Sequence, residues 1–256
     1  MTNKQTPCIE PRLQRAWAIF RNASPRAAVD WLQQQLTVDA NAGPLWQQRA
    51  IMLCRLRRYD EALDNITRAQ LLTPLSFEGQ LAAAAALWHT GRGELAADLL
   101  RELACREALD ESEQRELLEL LAMAGQWHHL AGLTRRLLSQ CPDDDQYCFL
   151  LATAFSKLGR PPEVVVRLLE RAVRLAPDRF SYRLSLAIFY CRMGDQLAAY
   201  REIGRMPDRE LRALSCRCCL AKLLAACCQA GDSDRAAQLA RQWATASRNH
   251  QADNLS

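Results

Sequence analysis

Residues 46–74 read WQQRAIMLCRLRRYDEALDNITRAQLLTP. Two short amphipathic helices with a break between them account for this stretch. Trp46, Ala50 and Leu53 recur at the 3.6-residue period and share one face, as do Ala62, Ile66 and Ala69 after the break. Pro44, just upstream, suits a first helical turn, where its missing N–H costs nothing. Arg58 and Tyr59 make the turn. Asp60 and Glu61 open the second helix, where negative charge complements the helix dipole, and Pro74 closes it. The small residues at 50, 62 and 69 let neighbouring helices approach closely.

The pattern recurs. Ala28, Ala62, Ala96, Leu130, Val164, Ala199 and Ala236 each start the contact face of a second helix, at spacings of 34, 34, 34, 34, 35 and 37 residues. The turn glycines Gly91, Gly125, Gly159, Gly194 and Gly231 follow at 34, 34, 35 and 37, and Pro74, Pro142 and Pro177 at 68 and 35. Three residue classes with one period of this length mark a solenoid of stacked helix pairs.

Trp46, Ala50, the run Tyr59–Asp60–Glu61–Ala62, Ala69 and Pro74 together resemble the tetratricopeptide repeat (TPR) family over a full unit. The resemblance implies an all-α fold, a right-handed α-α superhelix of about seven helix-turn-helix units. Their expected bounds are 9–42, 43–76, 77–110, 111–144, 145–179, 180–213 and 217–250, with disordered tails at 1–8 and 251–256. The first unit is the weakest match, with Leu13, Ala16, Trp17 and Phe20 on its inner face. Pro161–Pro162 supplies an extra residue, and the second helix of the sixth unit is cut short at Met206–Pro207.

Composition narrows the function. Of 256 residues 49% are hydrophobic, which fits a folded chain, and repeats filling 9–250 leave no room for a catalytic domain. No glycine-rich phosphate loop, H-E-x-x-H or G-x-S-x-G is present, so no enzyme activity and no cofactor are expected. The apolar stretches fall short of the ~20 residues of a membrane helix, and the polar N-terminus shows no secretory signal. A net charge of +4 without a basic tail argues against nucleic acid. Eleven cysteines, an odd number, point to reduced thiols and a cytoplasmic location.

Five of those cysteines, Cys216, Cys218, Cys219, Cys227 and Cys228, crowd into the last unit. Cys216 and Cys219 share a helix face, but Cys218 and Cys228 stand roughly 15 Å apart along one helix, too far to ligate one ion. The simplest reading is cysteine as a small hydrophobe, with no metal site.

In TPR proteins the first helices line the concave surface, largely through positions 2, 5, 9, 12 and 13 of each unit. The resemblance places Trp88, Phe149, Leu184 and Ile188 as apolar anchors on the floor. Arg55, Lys157 and Arg192, with His89, form a basic edge. That arrangement suits an acidic, amphipathic peptide of a partner protein. Positions 5 and 9 carry no Asn, which disfavours the carboxylate-clamp type of groove. The expectation is a non-catalytic scaffold or adaptor mediating protein–protein assembly; the alternative is a redox- or metal-responsive regulator using the C-terminal cysteines.

Overall fold

In the computed structural model, residues 9–253 are described, with side chains to residue 247. Among the described residues there are fifteen α-helices and no strand. Seven antiparallel pairs follow one another: α1 (Ile9–Asn22) with α2 (Pro25–Val38), α3 (Gly43–Arg55) with α4 (Tyr59–Leu72), α5 (Phe77–His89) with α6 (Gly93–Ala104), and α7 (Glu111–Met123) with α8 (Trp127–Gln140). Then come α9 (Asp145–Lys157) with α10 (Pro162–Leu175), α11 (Phe180–Met193) with α12 (Gln196–Gly204), the single-turn insert α13 (Asp208–Ala213), and α14 (Arg217–Gln229) with α15 (Ser233–Asp253). First helices begin 34, 34, 34, 34, 35 and 37 residues apart. The expected tail at 1–8 lies outside the described residues. α15 runs to Asp253, past the drawn end of the repeats at 250, and 254–256 lie outside the described residues.

The chain forms two compact units, divided at Leu133/Thr134 within α8. In the N-terminal unit the core joins Ala16, Ala28, Leu32, Trp46, Leu53, Ala62 and Ala69, with Leu13, Trp17 and Phe20 packed against it. Trp46 also donates its indole N–H to the Ala40 carbonyl at 2.8 Å, tying down the chain between α2 and α3. In the C-terminal unit the core joins Ala187, Ala199, Ile203, Met206, Leu211, Leu220, Leu223, Cys227 and Leu239. Leu211 comes from α13, so this insert plugs the core and also takes up the longer spacing before α14.

The fourth residue of every second helix but the last is fully buried; in α15 the expected Ala236 is only half-buried. Ala28, Ala62, Ala96, Leu130, Val165 and Ala199 are all 0% exposed. Val165 replaces the expected Val164, which is only half-buried. The extra residue lies ahead of α10, at Pro161, so it moves the buried position by one, and the next interval returns to 34.

Four helix starts carry a side-chain cap. Ser76, Asp144 and Asp195 accept backbone N–H bonds from Gly79, Tyr147 and Ala198, and Asp110 with Glu113 forms a capping box. Outside the first pair, the turns inside pairs share one device: a left-handed residue after which the next N–H bonds the carbonyl five residues back. Gly91, Gly125, Gly159, Gly194 and Gly231 supply it with φ of 79°, 66°, 65°, 84° and 76°. In the 55–59 turn the left-handed residue is Arg57, with φ 60°, and Arg58 N–H bonds Leu53 O at 2.9 Å. An L-residue with a Cβ costs about 1–2 kcal/mol in this region, partly offset by the greater unfolded-state freedom of glycine. Arg57→Gly is expected to stabilise the protein by about 0.5–1 kcal/mol, read as a higher urea midpoint with an unchanged slope.

Among the described residues no helix is long and apolar enough to cross a membrane.

Candidate functional site

In the N-terminal unit the first helices α3, α5 and α7 line a hollow of about 500 Å³. Its floor is apolar: Ile51, Cys54, Leu81, Ala82, Ala85, Leu120 and Met123. Its rim is charged, with Arg55 and Arg57 against Glu78, Glu116 and Glu119. A second hollow of about 750 Å³ adjoins it, lined by Gln14, Trp17, Phe20 and Arg21 of α1 and sharing Arg55 and Glu78.

Arg55 divides the two. Its guanidinium lies 3.4 Å from Glu78 and 3.6 Å from Glu116, and sits 4.8 Å from the centre of the Trp17 ring. One side chain of α3 therefore touches α1, α5 and α7. Burial raises the pKa of Glu78, a shift opposed by Arg55 and reinforced by Glu116. Cys54 is pushed up to about 12 by burial and donates its S–H to Ala82 O at 3.3 Å, so it is an inert part of the floor.

The expected groove residues lie in different settings. Arg55 and His89 line the hollow. His89 is stacked on Tyr59, with ring centres 4.1 Å apart. Trp88 is half-buried and faces the start of α6, where a Cβ on Gly93 would sit 3.5 Å from its ring. It is not among the lining residues. In the C-terminal unit, Phe149 is stacked on buried Tyr182 at 4.5 Å, and Tyr182 bonds Asp145. Leu184 and Ile188 are half-buried against the C-terminal core. Lys157 and Arg192 are exposed, and the Arg192 guanidinium lies 4.9 Å over the Phe189 ring.

Two features of the hollows escaped the sequence reading. Trp17 and Phe20, on the inner face of the first unit, also present surface to the second hollow. Glu78 stands at position 2 of its unit, one of the positions named by the family resemblance, so a row of position-2 residues exposes it. Glu116, at position 6, carries no such signal. The basic edge expected at Arg55 is thereby corrected: its charge is already answered by two carboxylates, and three carboxylates face two guanidiniums around this hollow.

The cysteine run also separates. Cys227 is fully buried, with its thiol pushed up to about 11 by burial, and Cys228 is exposed further along α14. Cys216, Cys218 and Cys219 instead converge at the start of α14. A hydrogen bond from Cys218 lowers the Cys216 thiol to about 7, while burial, followed by the neighbouring Cys216, raises Cys219 to about 12.

No protein-family model and no curated protein matches the sequence. Solved structures do match the fold. The C-terminal part of a TPR repeat-containing protein from Cytophaga hutchinsonii is similar with a TM-score of 0.66 at 14% identity, covering 90% of this chain and 93% of that one. YrrB, a TPR protein with an unusual peptide-binding site, gives 0.55 at 15% identity over 67% of this chain and 88% of its own. A chain of the Naa15/Naa10 structure bound to HypK-THB gives 0.53 at 15% identity, over 94% of this chain but 37% of that one. With helix pairs at a 34-residue period, buried small residues at one register position and left-handed turns within the pairs, this chain is an all-α solenoid with the fold of the tetratricopeptide repeat proteins.

Proposed function

We propose that this chain is a non-catalytic scaffold that holds a peptide or helix of a partner protein on the first-helix face of its N-terminal unit. The observation that carries the reading is the apolar floor of Ile51, Leu81, Ala85, Leu120 and Met123 set inside a charged rim and adjoining Trp17 and Phe20. Concave sites with apolar floors and a few polar groups are the usual places for ligands, and an amphipathic segment fills such a groove through spaced apolar anchors. YrrB, with its peptide-binding site, supports the same kind of use.

The rim selects the partner's charge. Arg55 is engaged by Glu78 and Glu116, while Glu119 adds a further carboxylate. An apolar segment carrying Lys or Arg suits this hollow better than the acidic segment inferred from sequence. In the C-terminal unit the exposed Arg192 offers an acidic segment a charge partner.

The test is selection of displayed peptides on the immobilised full chain, followed by affinity measurement on Ala85→Trp. Ala85 lines the floor and is half-buried, so the indole occupies the hollow without entering the core. Selected peptides are expected to combine apolar and basic residues and to bind the variant about 10-fold or more weakly, a loss of roughly 1.4 kcal/mol, with its thermal unfolding unchanged. Equal affinity for the parent and a folded variant would remove the hollow as the site.

A further inference from the structure

Three thiols meet where α14 begins. Cys216 immediately precedes the helix, and Cys218 and Cys219 are its second and third residues. The sulfur atoms of all three lie within 4.8 Å of one another, and those of Cys216 and Cys218 are 3.0 Å apart. Local geometry explains the convergence. The backbone at Cys216 is non-helical, with φ −69° and ψ 110°, as is usual before a helix, and a side chain in that position folds back over the second and third residues of the first turn. Here each of those residues also carries sulfur.

The cluster is open to solvent. Cys216 and Cys218 are exposed and Cys219 is half-buried behind them. Among the described residues no carboxylate or imidazole joins the set. Three sulfur donors without oxygen or nitrogen select soft ions, because thiolates favour monovalent copper and zinc over hard cations. A closed structural zinc site takes four protein ligands, and this cluster offers three. Monovalent copper, a closed-shell d10 ion, is satisfied by three thiolates arranged around it.

We propose that Cys216, Cys218 and Cys219 form a surface site that binds one monovalent copper ion through three thiolates. Each thiol gives up its proton to solvent as it ligates, so uptake strengthens as pH rises. The bound ion ties the segment before α14 to the first turn of that helix. None of the three cysteines lines the hollows of the N-terminal unit, so this proposal and the scaffold reading stand or fall separately.

The full chain, reduced and metal-free under anaerobic conditions, is titrated with copper(I) in competition with a chromophoric copper(I) chelator. The expected result is one copper per chain and a thiolate-to-copper charge-transfer band. Cys216→Ser with Cys218→Ser is expected to weaken uptake by at least roughly 100-fold, since one sulfur remains. Both positions are exposed, and serine is a favoured residue before a helix, so the fold is retained, as circular dichroism checks. A control with Cys105→Ser, Cys141→Ser and Cys228→Ser, all exposed and outside the cluster, is expected to bind copper like the parent. Parent-like uptake by the double variant, or no uptake by the parent against the chelator, overturns the proposal. So does a parent first loaded with one equivalent of zinc that retains it when equimolar copper(I) is offered.

Discussion

Leu130→Ala is expected to destabilise the protein by about 2–5 kcal/mol, although alanine is the residue that most other units carry at this position. Ala28, Ala62, Ala96 and Ala199 occupy the same place in their helices, and all are fully buried. A substitution toward the repeat's commonest residue ordinarily helps or does nothing. Here the leucine side chain is itself 0% exposed, among the largest fully buried side chains of the molecule. Removing its three outer carbons loses their transfer free energy and leaves a void that the rigid helix pair closes only in part. Urea unfolding followed by circular dichroism measures the loss; an unfolding free energy within about 0.5 kcal/mol of the parent's would show that α8 shifts inward to fill the space. Because repeat arrays can unfold in stages, the transition slope is compared as well.

The second large effect lies in the C-terminal unit. Glu202 of α12 is 7% exposed and holds two guanidiniums, Arg183 of α11 at 2.8 Å and Arg205 at 2.7 Å. Arg183 is itself largely covered, with 14% of its side chain exposed, while Arg205 reaches solvent. Glu202→Ala leaves the Arg183 charge facing a void. Its remaining bond, to the Pro177 carbonyl at 3.0 Å, does not neutralise it. Removing one member of a buried pair costs far more than the pair contributes net, because the survivor's desolvation is then uncompensated. The expected loss is about 2–4 kcal/mol, against less than about 1 kcal/mol for Arg205→Ala at the exposed end. The two variants are compared by urea unfolding; equal, small losses would mean that water reaches Arg183 once the carboxylate is gone.

The repeat was legible because its signals are local and redundant. Small residues, turn glycines and closing prolines each report the same period, and the helices follow it. Where one signal was missing, the reading slipped. Arg57 takes the left-handed turn position that glycine holds elsewhere, and without a glycine the sequence points one residue late, to Arg58 and Tyr59. The double proline at 161–162 marked an added residue, but not that the buried valine would be 165. The site was less legible than the fold, since positions taken from a family say where a backbone lies and not where a side chain turns. Trp88 rotates toward the start of α6, and Phe149 gives a face to Tyr182. Arg55 finds carboxylates 23 and 61 residues away, separations that no local pattern encodes. The cysteines show the same division: spacing along a straight helix separated Cys228 from the rest correctly, whereas the approach of Cys216 depends on the non-helical residue before the first turn.

The reach of Arg55 bears on how the array comes apart. A stack of repeats in which each touches only its neighbours behaves like a one-dimensional chain of spins, and its ends can fray one repeat at a time. Arg55, in the second helix pair, contacts Trp17 in the first, Glu78 in the third and Glu116 in the fourth. The contact with Glu116 skips a repeat and is a second-neighbour coupling. With both side chains more than 40% exposed it contributes only about 0.2–1 kcal/mol. Its effect is on correlation more than on depth: loss of α7 loosens α3 directly, without waiting for α5, so the first four pairs are biased toward opening together.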